Sequence, residues 1–306
     1  DPYAGGGIET TTQPAHIFGT APSSPDVGTF LVSYSGIAGG GIEYLQVVRI
    51  DSPLAGPTFT QTYVPMGDIE TLAAALPDAA QLGTTTLVEV NDRRALHSVW
   101  RDNSLWTATT IGQTPTGPND TSAYWIEIDT SNLAALSVAD QGAIGGEDIA
   151  TDAFTFFPSI AVAGDGEVGI GFSASAATIY PGSYYTSRSA GDAAGSTSGS
   201  QALRTGLDYY IRTFGGPRNR WGDYSGIAID PVDECFWVYN EHAIARGTPT
   251  SPPLEDGRWS TAFGRFCSCQ VVSRPPVSAR RVPRTDPVEN GRASSRRYTS
   301  STLRWS

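Results

Sequence analysis

Residues 159–173 read SIAVAGDGEVGIGFS. An apolar run (Ser159–Ala163) meets a tight polar turn, Gly164-Asp165-Gly166, and a second apolar run follows (Val168–Ser173). β-Branched and apolar residues flanking a Gly/Asp turn predict a β-hairpin. Three other segments repeat the pattern. TFLVSYS (Thr29–Ser35) and IEYLQVVRI (Ile42–Ile50) flank Gly39-Gly40-Gly41. LHSVW (Leu96–Trp100) and LWTATT (Leu105–Thr110) flank Arg101-Asp102-Asn103. SGIAI (Ser225–Ile229) and CFWVYN (Cys235–Asn240) flank a turn beginning Asp230-Pro231. Further strand-like runs follow at Ala123–Asp129, Ser183–Arg188 and Trp259–Phe266.

The hairpins recur about every 65 residues. Radial repetition of antiparallel units predicts an all-β fold, a β-propeller of five to seven blades. A β-sandwich of similar strand count is the alternative. The period exceeds the usual blade length, so either the connections are long or further blades lie between the clear ones. Gly169, Gly171, Gly226 and Ala228 fit close packing of blades around an axis. One helix is expected at 68–82 (DIETLAAALPDAAQL), capped by Asp68 and ended or kinked by Pro77. The segment 189–203 is low in complexity and reads as a surface loop.

The chain has 306 residues and a net charge of -11, and all 20 basic residues are Arg. The charge is divided: residues 271–306 carry eight Arg against Asp286 and Glu289. The expected domains are therefore a strongly acidic propeller over 1–270 and an Arg/Ser/Pro-rich tail over 271–306, without apolar periodicity and expected to be disordered. Such a tail is a tether, an arm for anionic partners, or the product of a shifted reading frame in a GC-rich gene just after Phe266. Acidic, Lys-free composition fits salt adaptation and GC-rich coding equally well. The acidic body argues against nucleic acid and anionic membrane as partners, and favours neutral ligands or ones held locally by Arg. No apolar run is long enough for a membrane helix. The start at Asp1 is read as a processed or trimmed secreted chain, expected to be monomeric.

Three cysteines do not make a disulfide framework. Cys267 or Cys269 can reach Cys235, or all are free buried thiols. Asn119-Asp120-Thr121 is a glycosylation sequon. No P-loop, nucleophile elbow, zincin or EF-hand pattern is present, and no cofactor or metal is expected.

Chemistry is concentrated in two places. Pro217–Tyr224 (PRNRWGDY) puts Arg218, Arg220, Trp221, Asp223 and Tyr224 before a predicted strand. Aromatic faces suit sugar rings and Arg suits carboxylates. The structural alternative is that Arg220 pairs with Asp223 while Trp221 packs between blades. The second place is Trp237–His242 (WVYNEH). Alternation puts Trp237 and Tyr239 on one face, with Glu241 at the strand end; Glu241 beside His242 suits acid–base work, or is a surface pair. Asp223, Glu241, Tyr224 and His242 are the candidate catalytic residues. Arg218, Arg220, Trp221, Trp237 and Tyr239 are the candidate substrate-binding residues. Tyr180, Tyr184 and Tyr185 form a third aromatic group and Tyr209-Tyr210 a fourth. His97 is read as a core histidine within a strand.

FPSIAVAGDGEVGIGFSAS (Phe157–Ser175) and RWGDYSGIAIDPVDECFWVYNEH (Arg220–His242) resemble secreted bacterial sialidase-like β-propellers. Gly164-Asp165-Gly166 is similar to an Asp-box turn, with Val168 and Ile170 where an aromatic is expected. The resemblance implies seven blades and a carbohydrate-directed protein, a glycoside hydrolase or polysaccharide lyase on acidic glycans. It also implies three Arg on a substrate carboxylate, for which Arg212, Arg218 and Arg220 are candidates. The rivals are a lectin-like binding or adhesion propeller and a structural domain of a larger secreted protein.

Overall fold

In the computed structural model of the protein, strands run up and down within a series of antiparallel units. It describes residues 11–267 except 24, 72–74, 113, 115–119, 215, 248 and 252–253. All described residues belong to the first of two compact units, Asp1–Ser268. The tail 271–306, Cys269 and Asn119 lie outside the described residues.

The first antiparallel unit comprises β1 (Gln13–Phe18), β2 (Val27–Ser33), β3 (Glu43–Asp51) and β4 (Thr58–Gly67). The second comprises β5 (His97–Arg101), β6 (Ser104–Ile111), β7 (Ser122–Asp129) and β8 (Ser137–Ile144). The third comprises β9 (Phe154–Val162), β10 (Val168–Ala176), β11 (Ile179–Arg188) and β12 (Gln201–Arg204). The fourth comprises β13 (Gly226–Ile229), β14 (Phe236–Ala245) and β17 (Arg258–Phe266), with the ribbon β15 (Pro249–Ser251)–β16 (Leu254–Glu255) inserted. The first two units fuse through a parallel pairing of β1 with β5, making an eight-stranded curled half-barrel.

The fold is all-β, with no helix among the described residues. The helix expected over 68–82 is therefore corrected. Ile69 and Glu70 are buried, and Ala79 bridges Val88 in an isolated β-pair. Pro77 interrupts the helical ladder, and tertiary partners claim the rest. The loop expected over 189–203 is also corrected at its end, because Gln201–Arg204 forms the outer strand β12. The described strands form sheets of eight, four, three and two strands, the eight-stranded one divisible into two antiparallel units at the β1–β5 seam. Long connections over 68–96 and 205–225 supply the extra length in the period.

Three of the predicted turns take left-handed backbone, Gly40 and Gly41 at φ 66° and 78° among them. Asp102 and Asn103 have φ of 50° and 68°, the conformation of a type I′ hairpin turn. Gly166, at φ 86°, closes the Gly164-Asp165-Gly166 turn.

Adjacent units bury their apolar faces against each other. Phe30, Val32, Leu45, Trp100, Leu105 and Ile126 fill the first-to-second interface. Trp125, Ile160, Phe172 and Tyr184 fill the second-to-third, and Ala161, Ile227, Phe236 and Val238 the third-to-fourth. Full burial of each large side chain is worth roughly 1.5–3 kcal/mol. Among the described residues, no such cluster joins the fourth unit to the first. The four first strands do share one cavity of about 210 Å³, lined by His16, His97, Ile160 and Ile227 among others. Cys235 is bonded to Cys267, tying the start of β14 to the end of β17.

Asp120 precedes β7 and is 5% exposed. Burial pushes its carboxyl up to about 7, with Glu147 and Asp152 adding repulsion. Its unfolded value is near 3.8, so the folded state holds a proton that the unfolded state releases. Stability is therefore expected to fall as pH rises from about 4 to about 7. Asp120→Asn should flatten that fall, raising the urea midpoint at pH 8 and leaving it unchanged at pH 3.

Candidate functional site

The connections preceding β5 and β13 meet at one end of the molecule. Glu89 forms a parallel bridge with Arg220, and its N–H donates to the Asn219 carbonyl at 3.0 Å. Asn219 is buried and ties three segments together. Its Nδ2 donates to the Leu87 and Tyr210 carbonyls at 3.0 and 2.8 Å, and its Oδ1 accepts from Arg212 N–H at 2.8 Å. Such saturated bonding fixes the loop that carries PRNRWGDY.

On that loop Arg218 forks onto Glu89, with Nε to Oε1 at 2.8 Å, and Arg220 pairs with Asp223. Asp223 also accepts weakly from Asn91 Nδ2 at 3.5 Å. Trp221 is buried, its Nε1 donating to Ser173 Oγ at 3.3 Å and its ring meeting Tyr210 edge-on at 5.1 Å. Trp221 is thus a packing residue. Tyr224 is 58% exposed and faces Arg94, whose proton affinity Asp92 and Tyr224 both raise. Arg212 lies over the Phe214 ring and 3.9 Å from Asp256. Each guanidinium considered for a carboxylate cradle therefore already has an acidic neighbour of its own.

Strand β14 places Trp237, Tyr239 and Glu241 on one face and Phe236, Val238, Asn240 and His242 on the other. Glu241 and His242 are consequently not brought together. His242 is 6% exposed and its proton affinity is lowered by burial and by Arg204. Glu241 sits beside Asp223. It accepts the Gly222 N–H, and its proton affinity is raised by burial and further by the Asp223 charge. A Cβ on Gly222 would lie 2.2 Å from Glu241 Oε1, so only glycine lets the carboxylate reach that amide.

A groove of about 420 Å³ runs beside this face, lined by Trp237, Tyr239, Phe263, His97, Ser225 and Gly226. Trp237 and Tyr239 are 43% and 52% exposed, and Trp237 Nε1 is held by Asp230 Oδ2 at 2.9 Å. Phe263 lies directly across from Tyr239 in the β14–β17 register and is 76% exposed. Ser225 closes the floor, its Oγ donating to the Phe157 carbonyl at 2.7 Å. Phe157 holds φ at 51° inside a bulge of β9, a costly conformation for a bulky residue.

His97, read as a core histidine, is a wall of both the groove and the cavity shared by the four first strands. Its Nδ1 accepts the Ile160 N–H at 3.1 Å, which leaves the ring proton on Nε2. Burial lowers its proton affinity and keeps it neutral. Phe263 and His97 are the groove residues that sequence reading missed. Alternation in Trp259–Phe266 was the signal for Phe263; nothing local signalled His97. The remaining tyrosine groups prove to be largely interior. Tyr184 stacks on Phe172, Tyr185 on Phe266, and Tyr210 packs on Trp221.

No group of three His, Cys, Asp or Glu among the described residues is arranged to hold a metal ion. No helix among them is long and apolar enough to cross a membrane. Comparison with protein families, with curated proteins and with solved structures finds no match to the chain.

Proposed function

We propose that this chain is a secreted, carbohydrate-directed β-propeller that lays a glycan along β14 and works on it beside Asp223 and Glu241. The four antiparallel units are its blades, and the cavity shared by their first strands marks its axis. That assignment keeps the architecture implied by the sialidase-like resemblance and reduces the blade number.

One observation carries the functional reading: Trp237, Tyr239 and Glu241 follow one another along a single open strand face that ends at Asp223. Flat aromatic faces bind sugar rings, and Phe263 widens the platform. At its end stand two carboxyls in different environments. Asp223 is paired with Arg220, while Glu241 is half-buried and holds its proton more tightly than an ordinary glutamate. Separating two carboxyls in this way assigns one to the acid role and the other to the base or nucleophile role of a glycosidase.

A lectin-like binding propeller is the second reading. Its support is that Arg220 already occupies Asp223. A glycan array run beside reducing-sugar and unsaturated-product assays on uronate polysaccharides separates the two. Turnover supports the enzyme, binding without turnover supports the lectin, and silence in both overturns the carbohydrate reading.

A further inference from the structure

At the opposite end of β5 and β9 lies a second cavity, of about 220 Å³. Two hairpin turns form its rim, Asp102-Asn103 and Gly164-Asp165-Gly166, and the end of β11 closes it. Pockets for drug-sized molecules start near 300 Å³, so this one suits a smaller ligand. Its wall contains Trp106, which is 6% exposed and stacked on Trp125. Trp106 and Glu127 are cross-strand partners in the β6–β7 pair.

Of the two guanidinium groups on this wall, Arg188 is bonded to the Ala193 and Ser196 carbonyls and to Asp140, while Arg101 has fewer partners. Arg101 has 15% of its side chain exposed. Its guanidinium lies 5.0 Å from the centre of the Phe18 ring and meets Glu234 at 3.4 Å, a long contact. A guanidinium carries five N–H donors in a planar fork, and that fork matches a carboxylate. The same Glu234 oxygen also accepts the Gly164 N–H, so Arg101 shares it. A Cβ on Gly164 would lie 2.5 Å from that oxygen. Glu127 accepts Ser104 Oγ–H at 2.7 Å on Oε1. Its carboxyl lines the cavity, and burial makes it bind a proton more tightly than usual. The site therefore combines a cationic fork, a carboxyl and an indole wall around room for one small molecule.

We propose that this cavity is a binding site for a small hydroxylated carboxylic acid, a single sugar acid, with Arg101 on its carboxylate, Glu127 on its hydroxyls and Trp106 against its carbon skeleton. The site is separate from the β14 groove and does not depend on what that groove binds.

Isothermal titration of the whole chain with D-glucuronate tests it, with D-glucose and acetate as single-feature controls. Saturable binding of glucuronate with a Kd of about 1 mM or tighter is expected, with each control at least about tenfold weaker. Arg101→Met keeps the stem on Phe18 and removes the fork; it should weaken glucuronate at least about tenfold and leave glucose unchanged. Glu127→Gln should weaken glucuronate and glucose alike. Trp237→Ala should leave glucuronate binding intact. Thermal unfolding of each variant confirms that it is folded before titration. No saturable binding overturns the proposal, and so does binding lost in Trp237→Ala but kept in Arg101→Met. The second result would place the acid in the β14 groove, which separates failure here from failure of the glycan reading.

Discussion

Glu70→Ala is expected to lower the free energy of unfolding by about 3–5 kcal/mol, the usual result of removing one partner from a buried ion pair. Glu70 has a fully buried side chain, and Arg93 is 8% exposed. Arg93 Nε sits 2.8 Å from both carboxylate oxygens. Tyr34 O–H donates to Oε1 at 2.5 Å and Gly112 N–H to Oε2 at 2.7 Å. Alanine removes the acceptor of all these donors at once, and each donor is then buried with its desolvation uncompensated. Tyr34→Phe removes a single charge-assisted bond and should cost less, about 1.5–3 kcal/mol. Urea denaturation followed by tryptophan fluorescence measures both. A Glu70→Ala loss no larger than that of Tyr34→Phe would show that the network adds nothing beyond pairs.

On the glycosidase form of the proposed function, Glu241→Gln should reduce turnover by about 10²- to 10⁴-fold, the range supplied by a positioned general acid. Glutamine can still accept the Gly222 N–H and occupies the same volume, so the unfolding midpoint should hardly move. Glycan affinity should persist in this variant and fall in Trp237→Ala, which separates chemistry from platform. The pH dependence has a definite sign. An acid works while protonated, so activity should fall as pH rises through the Glu241 pKa, which lies above the ordinary value of 4.5. Asp223→Asn removes a charge that raises that pKa and should move the alkaline limb of the residual activity to lower pH. Full turnover in Glu241→Gln would remove Glu241 from the chemistry.

The strands most legible in the sequence are those buried on both faces. Val168–Ala176 is buried at every position and reads as an apolar run, as does most of Ser104–Ile111. The outer strands β4, β8 and β12 escaped notice because solvent covers one side of them, so Thr, Gln, Asp and Ser satisfy their positions. Strand β1 was missed for another reason. QPAHIF is short and holds a proline; only Gln13 and Pro14 pair with β2, and the rest pairs with β5, far along the chain. The first hairpin read from sequence is therefore β2–β3, one strand later in its unit than the others. At the site, alternation correctly put Trp237 and Tyr239 together. The same rule separates adjacent Glu241 and His242, so their pairing was excluded by strand geometry. His97 could not be foreseen as a groove wall, because strands from other units enclose it.

The parallel seam between β1 and β5 also governs how the molecule must assemble. Every other pairing of strands in the eight-stranded sheet joins chain neighbours, which can zip as soon as both have left the ribosome. β1 has to wait. Ala15 meets Ser98 only after the whole of the first meander and the long connection behind it have been synthesised. Closing so large a loop is entropically slow, and until it happens β1 has an unoccupied hydrogen-bonding edge. The birth of this protein thus includes an interval in which one exposed ribbon of backbone is open to mispairing with another nascent chain, and its yield in a crowded cell should depend on how quickly that seam shuts.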